Sequence, residues 1–286
     1  MRVRAVVTAG AVLLCVGACT QKKPEANAAG AAAAAMPPEV TFTAKDFAFE
    51  GPDTIGSGWT TVVLHNDGPT MHHVILLRLT QGKTSTDLKA AVAAMKQPEM
   101  PPMWAVPAGG VNPPMPGSDT RAVLDIQPGD YAIVCIVDIP DHVPHMMKGM
   151  IKGLTVTAST GAPAAEPVAD MTVSMVNFAF APSGQFTAGH HVIKIVNNGT
   201  QPHEFELVRL GEGKTMDDLM KWGQTYQGPL PGTSLGGAAP MMPGAVEYVP
   251  FDLTPGNYVV LCFLPDPTKN NMPHLAEGMV RTFTIS

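Results

Sequence analysis

Charged residues and cysteines are both scarce in this chain. Only 15% of its 286 residues are Asp, Glu, Lys or Arg, and no long basic run occurs. Binding to nucleic acid therefore has no electrostatic basis. The four cysteines, at positions 15, 19, 135 and 262, are too few for a disulfide-framework protein.

Glycine and proline are abundant, with 28 residues each, and 45% of the chain is hydrophobic. The hydrophobic content excludes disorder throughout. Because the glycines follow no collagen period, the composition favours a loop-rich, all-β protein over a helical one. At roughly 100 to 200 residues per domain, the length predicts about two domains.

The first 18 residues have the pattern of a signal peptide. Arg2 and Arg4 precede an apolar run from Ala5 to Val16, and small residues follow it. This run is too short to span a bilayer as a helix. Residues 16–19, Val-Gly-Ala-Cys, resemble a bacterial lipobox, which implies cleavage before Cys19 and lipidation of its thiol. The alternative is an ordinary secretory signal with a cysteine at its cleavage site.

Residues 19–38 are rich in alanine and contain three prolines, a composition that cannot bury enough apolar surface to order itself. We expect this segment to be a tether between lipid and folded body. The sequence thus predicts an exported lipoprotein, held at the periplasmic face or the cell surface. In such an oxidising compartment a disulfide between the remaining thiols, Cys135 and Cys262, is an alternative to their use as ligands.

The rest of the chain is an internal tandem duplication. Residues 66–79 and 197–210 are identical at six of 14 positions, at an offset of 131. Residues 128–135 match 255–262 in the same way, at an offset of 127. We therefore predict two tandem domains, residues 39–157 and 170–286, joined by a linker of residues 158–169.

Short β-branched or alternating runs, separated by Gly, Pro, Asn and Asp, predict at least six strands in each repeat. One short helix is expected per repeat, at about 86–96 and 216–224. This pattern indicates a β-sandwich. The stretches 98–118 and 228–244, rich in Pro, Met and Gly, are expected to be long irregular loops.

Each repeat contains one His and then, far downstream, a Cys, a His and a Met. The residues are His72, Cys135, His145 and Met150 in the first repeat, and His203, Cys262, His274 and Met279 in the second. Two imidazoles and a thiolate with a weak axial thioether form the blue-copper ligand set. Since Cu(I) favours sulfur and Cu(II) favours imidazole, one geometry serves both ions and allows fast one-electron transfer. We predict two coppers per chain, one in each domain.

These motifs resemble the cupredoxin family, in particular the plastocyanin-like type 1 copper proteins. Asn197-Asn-Gly-x-x-Pro-His203 is similar to the segment that carries the family's first ligand, and Cys262, Pro273-His274 and Gly278-Met279 are similar to its Cys–His–Met loop. The resemblance implies a Greek-key β-sandwich in each repeat and a role in electron transfer. It departs in spacing, because nine residues separate Cys and His in the first repeat and 11 in the second, more than in the family's small members.

The residue after the first histidine also differs between the repeats. It is His73 in one and Glu204 in the other. Groups beside metal ligands tune the metal, so the two sites should differ in reduction potential. A Glu204 carboxylate close to the metal would favour Cu(II) and lower the potential of the second site, unless the side chain points to solvent.

We predict a membrane-anchored one-electron carrier that is not an enzyme and has no catalytic residues. Its partner would be a redox protein such as a cytochrome or another respiratory component. A two-domain copper enzyme, such as a nitrite reductase or small laccase, needs further histidines for catalytic copper, and this sequence contains no His-x-His. A copper storage or delivery lipoprotein and a metal-free binding module stay open as alternatives.

Changing Cys19 to Ser should release the mature protein from the membrane or block its processing, because serine offers no thiol for the lipid. Cys15→Ser, a matched change within the signal peptide, should leave anchoring intact. Membrane fractionation and mass spectrometry of the mature N-terminus measure both. A Cys19→Ser variant that stays with the membrane, together with a wild type that carries no acyl group, would contradict the anchor.

Overall fold

The computed structural model of this protein describes residues 37–96 and 101–286. The predicted signal peptide, Cys19 and the tether up to residue 36 lie outside the described residues, and they stay predictions. Within the described ranges, no helix is long and apolar enough to cross a membrane.

Both repeats consist of short strands with one α-helix each. The elements of the first repeat are β1 Glu39–Lys45, β2 Ala48–Glu50, β3 Thr54–Gly56, β4 Gly58–Asn66, β5 Val74–Leu79, α1 Ser85–Ala93, β6 Ala105–Val111, β7 Asp119–Ile126, β8 Gly129–Val134 and β9 Ile151–Thr157. Those of the second are β10 Met171–Val176, β11 Ala179–Pro182, β12 Gly189–Asn197, β13 His203–Leu210, α2 Met216–Thr225, β14 Gly232–Met241, β15 Val246–Leu253, β16 Gly256–Leu261, β17 Pro265–Asp266, β18 Met272–Pro273 and β19 Val280–Ile285.

Both helices begin with the same capping box. The Thr84 hydroxyl accepts a hydrogen bond from Asp87 N, and the Asp87 carboxylate accepts one from Thr84 N. Thr215 and Asp218 repeat this arrangement at the start of α2. Each box satisfies backbone donors that the first helical turn leaves free, which explains why a helix starts at the same point of each repeat.

The strands form two large sheets in the described part of the chain, and both sheets run through both repeats. The first has the order β11-β10-β12-β15-β7-β4-β1-β2, and the second has the order β19-β16-β13-β14-β6-β5-β8-β9-β3. The main core lies between the sheets and contains fully buried Phe42, Leu64 and Phe205. The predicted all-β sandwich with two short helices is confirmed.

The stretches that we expected to be irregular loops contain strands instead. β6 and β14 pair with each other, with Val111 opposite Ala238, and β7 pairs with β15. Because glycine and proline lower strand propensity, β6 and β14 could not be recognised in the sequence. Because the repeats share both sheets and form one compact unit, the boundaries at 39–157, 158–169 and 170–286 stay a prediction.

Glycine allows β6 and β14 to approach their neighbours. A Cβ on Gly237 would lie 1.8 Å from the carbonyl oxygen of Phe205, and one on Gly110 would lie 2.0 Å from that of Val74. The φ values of Gly237 and Gly110 are +148° and +144°, which other residues rarely adopt. The pairing of β6 with β5 and of β14 with β13 therefore depends on residues without side chains.

Gly237→Ala should destabilise the protein by about 3 kcal/mol, because the methyl group overlaps backbone and the φ value is unfavourable. Gly184→Ala is the matched control, since a Cβ there meets only the sulfur of Met171, at 3.9 Å. Urea unfolding of both variants measures the difference. Equal urea midpoints for the two variants would contradict the requirement for glycine where β14 approaches β13.

Candidate metal centres

Strand pairing brings the first histidine and the cysteine of each repeat together. β5 and β8 are antiparallel, with Ile75 opposite Val134, so the residues just before β5 and just after β8 are neighbours. Those residues include His72 and Cys135. Along β8, Tyr131, Ile133 and Cys135 belong to the core between the sheets, because alternate side chains of a strand point to the same face.

A 3₁₀ turn, His145–Lys148, carries the second histidine back over the cysteine. His145 N donates to Val137 O, and Met146 N donates to Cys135 O. Gly149 then reverses the chain with φ +99°, and Met150 N donates to His145 O. In the second repeat β13 pairs with β16, and the turn His274–Glu277 has the same role.

The first centre is a buried triangle of three donor atoms. Nδ1 of His72 and Nδ1 of His145 are 3.1 Å apart. Sγ of Cys135 lies 3.9 Å from the first nitrogen and 3.5 Å from the second. All three side chains are fully buried.

The second centre repeats this geometry. Nδ1 of His203 and Nδ1 of His274 are 3.1 Å apart, and Sγ of Cys262 lies 3.4 Å from the latter. In each centre the three donor atoms lie within 4.8 Å of one another. The predicted ligands therefore meet in two sets, one per repeat, and both cysteines are free thiols. The structure contains no disulfide between Cys135 and Cys262.

The hydrogen bonds of the first centre fit a cation between the donors. His145 Nε2 donates to Ile139 O at 3.0 Å, and His72 Nε2 lies 2.8 Å from Asp46 Oδ1. The His145 ring therefore carries its proton on Nε2, and its unprotonated Nδ1 faces Nδ1 of His72 at 3.1 Å. A lone pair at that distance needs either a metal cation or the Nδ1–H of His72 opposite it, and His72 Nε2 makes no hydrogen bond that would fix the tautomer of its ring. Metal–nitrogen distances of about 2.0 Å and metal–sulfur distances of about 2.3 Å, as in zinc sites, suit donor separations of 3 to 4 Å.

Burial keeps the donors uncharged when no metal is bound. It lowers the pKa of His72 and that of His203 to about 4, with a further contribution from the second histidine of each centre. It raises the pKa of the Cys135 thiol to about 12 and that of Cys262 well above its usual value. The imidazoles are thus ready to bind metal at neutral pH, whereas each thiol loses a proton when a metal binds.

Met150 and Met279 are fully buried in the same core cluster as the two cysteines. Each directly follows a glycine with positive φ, and each backbone N–H donates to the carbonyl of the second histidine. Each methionine therefore lies in the same buried turn as the second histidine of its centre. Their role as axial ligands stays a prediction.

The repeated Asn-x-Gly motif shapes the segment before the first histidine. Asn66 Nδ2 donates to Thr70 O and Pro114 O, and its Oδ1 accepts from Gly68 N. Asn197 makes the equivalent three bonds in the second repeat. In each repeat this buried amide connects the segment before the first histidine to Pro114, after β6, or to Met241, at the end of β14. It thereby fixes the position of the first ligand.

Two functional residues were missed by the sequence reasoning. They are Asp46 and Asn177, whose Oδ1 atoms lie 2.8 and 2.9 Å from the Nε2 atoms of His72 and His203. They occupy equivalent positions at the offset of 131, each directly before a Phe-Ala-Phe motif. That repeated register was the available signal.

The residues after the first histidines lie close to the cysteines. His73 N donates to Cys135 Sγ at 3.2 Å. Glu204 is buried, and its Oε1 accepts from Phe263 N at 2.7 Å. The carboxyl group therefore does not point to solvent, but burial raises its pKa to about 7, which reduces its average charge near neutral pH. The expectation of a lower potential at the second site required an ionised Glu204, and burial disfavours that form.

A cavity of about 710 Å³ borders both centres. The walls include both chain neighbours of each cysteine, namely Val134, Ile136, Leu261 and Phe263. Trp222 of α2 and Tyr226 just after it also line the cavity, and the Tyr226 hydroxyl donates to Asp138 Oδ1 at 2.6 Å. The described lining residues include Asp138, Glu204 and Glu206 but no Lys or Arg.

No protein-family model and no curated protein sequence matches this chain, but solved structures do. An auracyanin from the photosynthetic bacterium Roseiflexus castenholzii is 18% identical, covers 43% of this chain and 98% of its own, and has a TM-score of 0.29. A blue copper oxidase from Nitrosomonas europaea is 15% identical, with coverage of 88% and 86% and a TM-score of 0.27. A copper nitrite reductase from the same organism is 13% identical, with coverage of 88% and 94% and a TM-score of 0.26.

The described residues form two similar β-rich repeats that contribute strands to the same two sheets, and each repeat has a His–Cys–His donor set for one metal ion. Because the identities lie below 25% and the TM-scores below 0.5, this assignment depends on the chain's own strands and ligand geometry.

The prediction that the chain is not an enzyme is wrong. The oxidase and the nitrite reductase each match across both repeats, so this two-domain architecture also occurs in copper enzymes. The absence of His-x-His is a weak exclusion for a physical reason. Folding brings distant residues together, as it does for His72 and Cys135, which are 63 positions apart, so a site does not need a local motif.

Proposed function

We propose that this protein transfers single electrons through two type 1 copper sites. The observation that supports this most directly is the pair of buried His–Cys–His triangles, each with its Nδ1 atoms 3.1 Å apart. Bound copper supplies the one-electron chemistry. The protein holds the ligands in place before the metal arrives, so that little rearrangement accompanies a change of oxidation state.

The chain's own residues orient and protect the ligands. Ile139 O and Asp46 hold the outer nitrogens of the first centre, and Asn177 holds His203 in the second. The complete burial of the cysteines excludes water from the sulfur atoms. The hydrogen bonds of His145 and His203 keep those two imidazoles in the tautomer that leaves Nδ1 free for a metal.

The proposed partner is a redox protein such as a cytochrome or another respiratory component. Phe263 and Met272 are 49% and 44% exposed, and both lie in the loop between Cys262 and His274. Exposed apolar side chains beside a redox centre provide a surface for a transient partner. We further propose that the protein is exported and anchored through Cys19, so that this exchange occurs outside the cytoplasm.

Copper-loaded, full-length protein should contain two coppers and show intense thiolate-to-Cu(II) absorption that a reduced cytochrome bleaches. Cys135→Ser and Cys262→Ser should each remove one copper's share of the band, because the thiolates lie in separate centres. Each variant is the other's control, and metal analysis with visible spectroscopy measures both. Bound copper without a thiolate band would contradict the proposal. A band that no protein donor reduces would favour copper storage or delivery.

The cavity favours a second candidate function, the oxidation of a small uncharged organic donor. Its lining carries carboxyl groups and no described Lys or Arg, which disfavours anions such as nitrite. A hydroquinone seated there would lose two electrons and two protons. The two electrons would be taken by two Cu(II) ions, and the protons would leave to water.

Gly223 lines the cavity, and a Cβ at this position meets nothing within 4 Å, so Gly223→Trp should fill the space without disturbing the helix backbone. The variant should slow the reduction of the copper-loaded protein by hydroquinone, whereas the control Gly223→Ala should not. Stopped-flow spectroscopy of the thiolate band measures both rates. Equal rates for the two variants would exclude the cavity as the site of oxidation.

A further inference from the structure

The two centres differ in the group that contacts the outer nitrogen of their first histidine. Asp46 and Asn177 stand at equivalent positions, offset by 131. One supplies a carboxylate oxygen 2.8 Å from His72 Nε2, and the other supplies an amide oxygen 2.9 Å from His203 Nε2. The same contact thus carries a full negative charge in one repeat and only a dipole in the other.

Local hydrogen bonds hold each of these groups in position. The Thr70 hydroxyl donates to Asp46 Oδ1 at 3.0 Å. Asn177 Nδ2 donates to Thr200 Oγ1 at 2.6 Å, and Thr200 N donates to Asn177 Oδ1 at 3.0 Å. Because the amide nitrogen is occupied by the threonine hydroxyl, the amide oxygen is the atom that faces His203.

Glycine makes the close contact with each ring sterically feasible. A Cβ on Gly68 would lie 2.6 Å from His72 Nε2 and 3.0 Å from Asp46 Oδ1. A Cβ on Gly199 would lie 2.5 Å from His203 Nε2 and 2.5 Å from Asn177 Oδ1. The contact is therefore a built feature of both repeats, and the difference between them is confined to the chemistry of the acceptor.

The Asp46 carboxylate lies 2.8 Å from His72 Nε2 without hydrogen-bond geometry, so it acts on the ring, and on a metal bound to it, through its charge. That charge favours the more positive ion, Cu(II), over Cu(I). Other charges also act near the centres, among them the buried Asp266, which interacts with His274 and would oppose the difference. Lys148 pairs with Asp141 at 2.7 Å beside the first centre, and Lys269 pairs with Glu277 beside the second.

We propose that Asp46 and Asn177 set unequal potentials at the two copper sites, with the first site lower. The proposal depends on the copper function proposed above. Asp46 and Asn177 are positioning residues, because they act on the metal through a histidine. An ionised Glu204, buried beside Cys262, would lower the potential of the second site and so oppose the difference in potential. The Glu204→Gln variant measures this effect.

The test isolates each site and changes only its acceptor. In a Cys262→Ser background, Asp46→Asn should raise the potential of the first copper, with a change in the Cu(II)/Cu(I) ratio on the order of tenfold, or about 59 mV for one electron. In a Cys135→Ser background, Asn177→Asp should lower the potential of the second copper. Redox titration of the thiolate band measures both shifts.

Asp67→Asn is the matched control. Asp67 and Asn198 form another Asp/Asn pair at the same offset, and Asp67 is 51% exposed beside Lys45 and His65. This variant removes the same charge without touching a ligand, so its shift should be much smaller than that of Asp46→Asn. Glu204→Gln, titrated in the Cys135→Ser background, measures the opposing contribution.

The outcomes separate this inference from the copper function itself. Opposite shifts from Asp46→Asn and Asn177→Asp, with the first site lower in the wild type, support it. Equal shifts from Asp46→Asn and Asp67→Asn, or a first site with the higher potential in the wild type, overturn it while the copper function stands. If Asp46→Asn fails to load copper, Asn177→Asp still decides, because an unchanged potential there overturns the role of the acceptor. Absence of any thiolate band in the wild type removes both proposals together.

Discussion

Both centres depend on one constraint, the close approach of two buried imidazole nitrogens beside a buried thiol. At 3.1 Å, two unprotonated nitrogens repel each other unless a cation lies between them. Much of the surrounding structure serves this arrangement. Acceptors such as Ile139 O and Asn177 hold outer N–H groups, and the buried Asn66 and Asn197 fix the segments that carry the first ligands.

The duplication gives the protein two versions of one centre inside a single compact unit. Strand pairing between β6 and β14 and between β7 and β15 makes both sheets continuous across the repeats. The centres can therefore differ in their surroundings while sharing one fold. The differences are concentrated beside the ligands, where His73 and Asp46 of the first repeat correspond to Glu204 and Asn177 of the second.

Much of the fold and the ligand set could be predicted from the sequence, because both leave local patterns. Strands such as Val74–Leu79 and Val246–Leu253 show as alternating or β-branched runs, and the eight predicted ligands recur in order at nearly constant offsets. β6 and β14 could not be recognised, because their glycines, required by the close approach to Val74 and Phe205, lower strand propensity.

The acceptors of the first histidines escaped prediction for a different reason. Asn177 precedes its histidine by 26 residues, and nothing in the sequence indicates that the fold closes this distance. The presence or absence of an enzymatic activity was also beyond the sequence, because a catalytic site can be assembled from residues that share no local motif. What the sequence did contain was the register of the repeat, and that register identifies Asp46 and Asn177 once the structure shows their position.

The most direct test of the account is anomalous diffraction at the copper edge from crystals of the copper-loaded protein. The account predicts two peaks per chain, one inside the triangle of His72, Cys135 and His145 and one inside that of His203, Cys262 and His274. Copper at only one triangle, or at positions away from both, would contradict it.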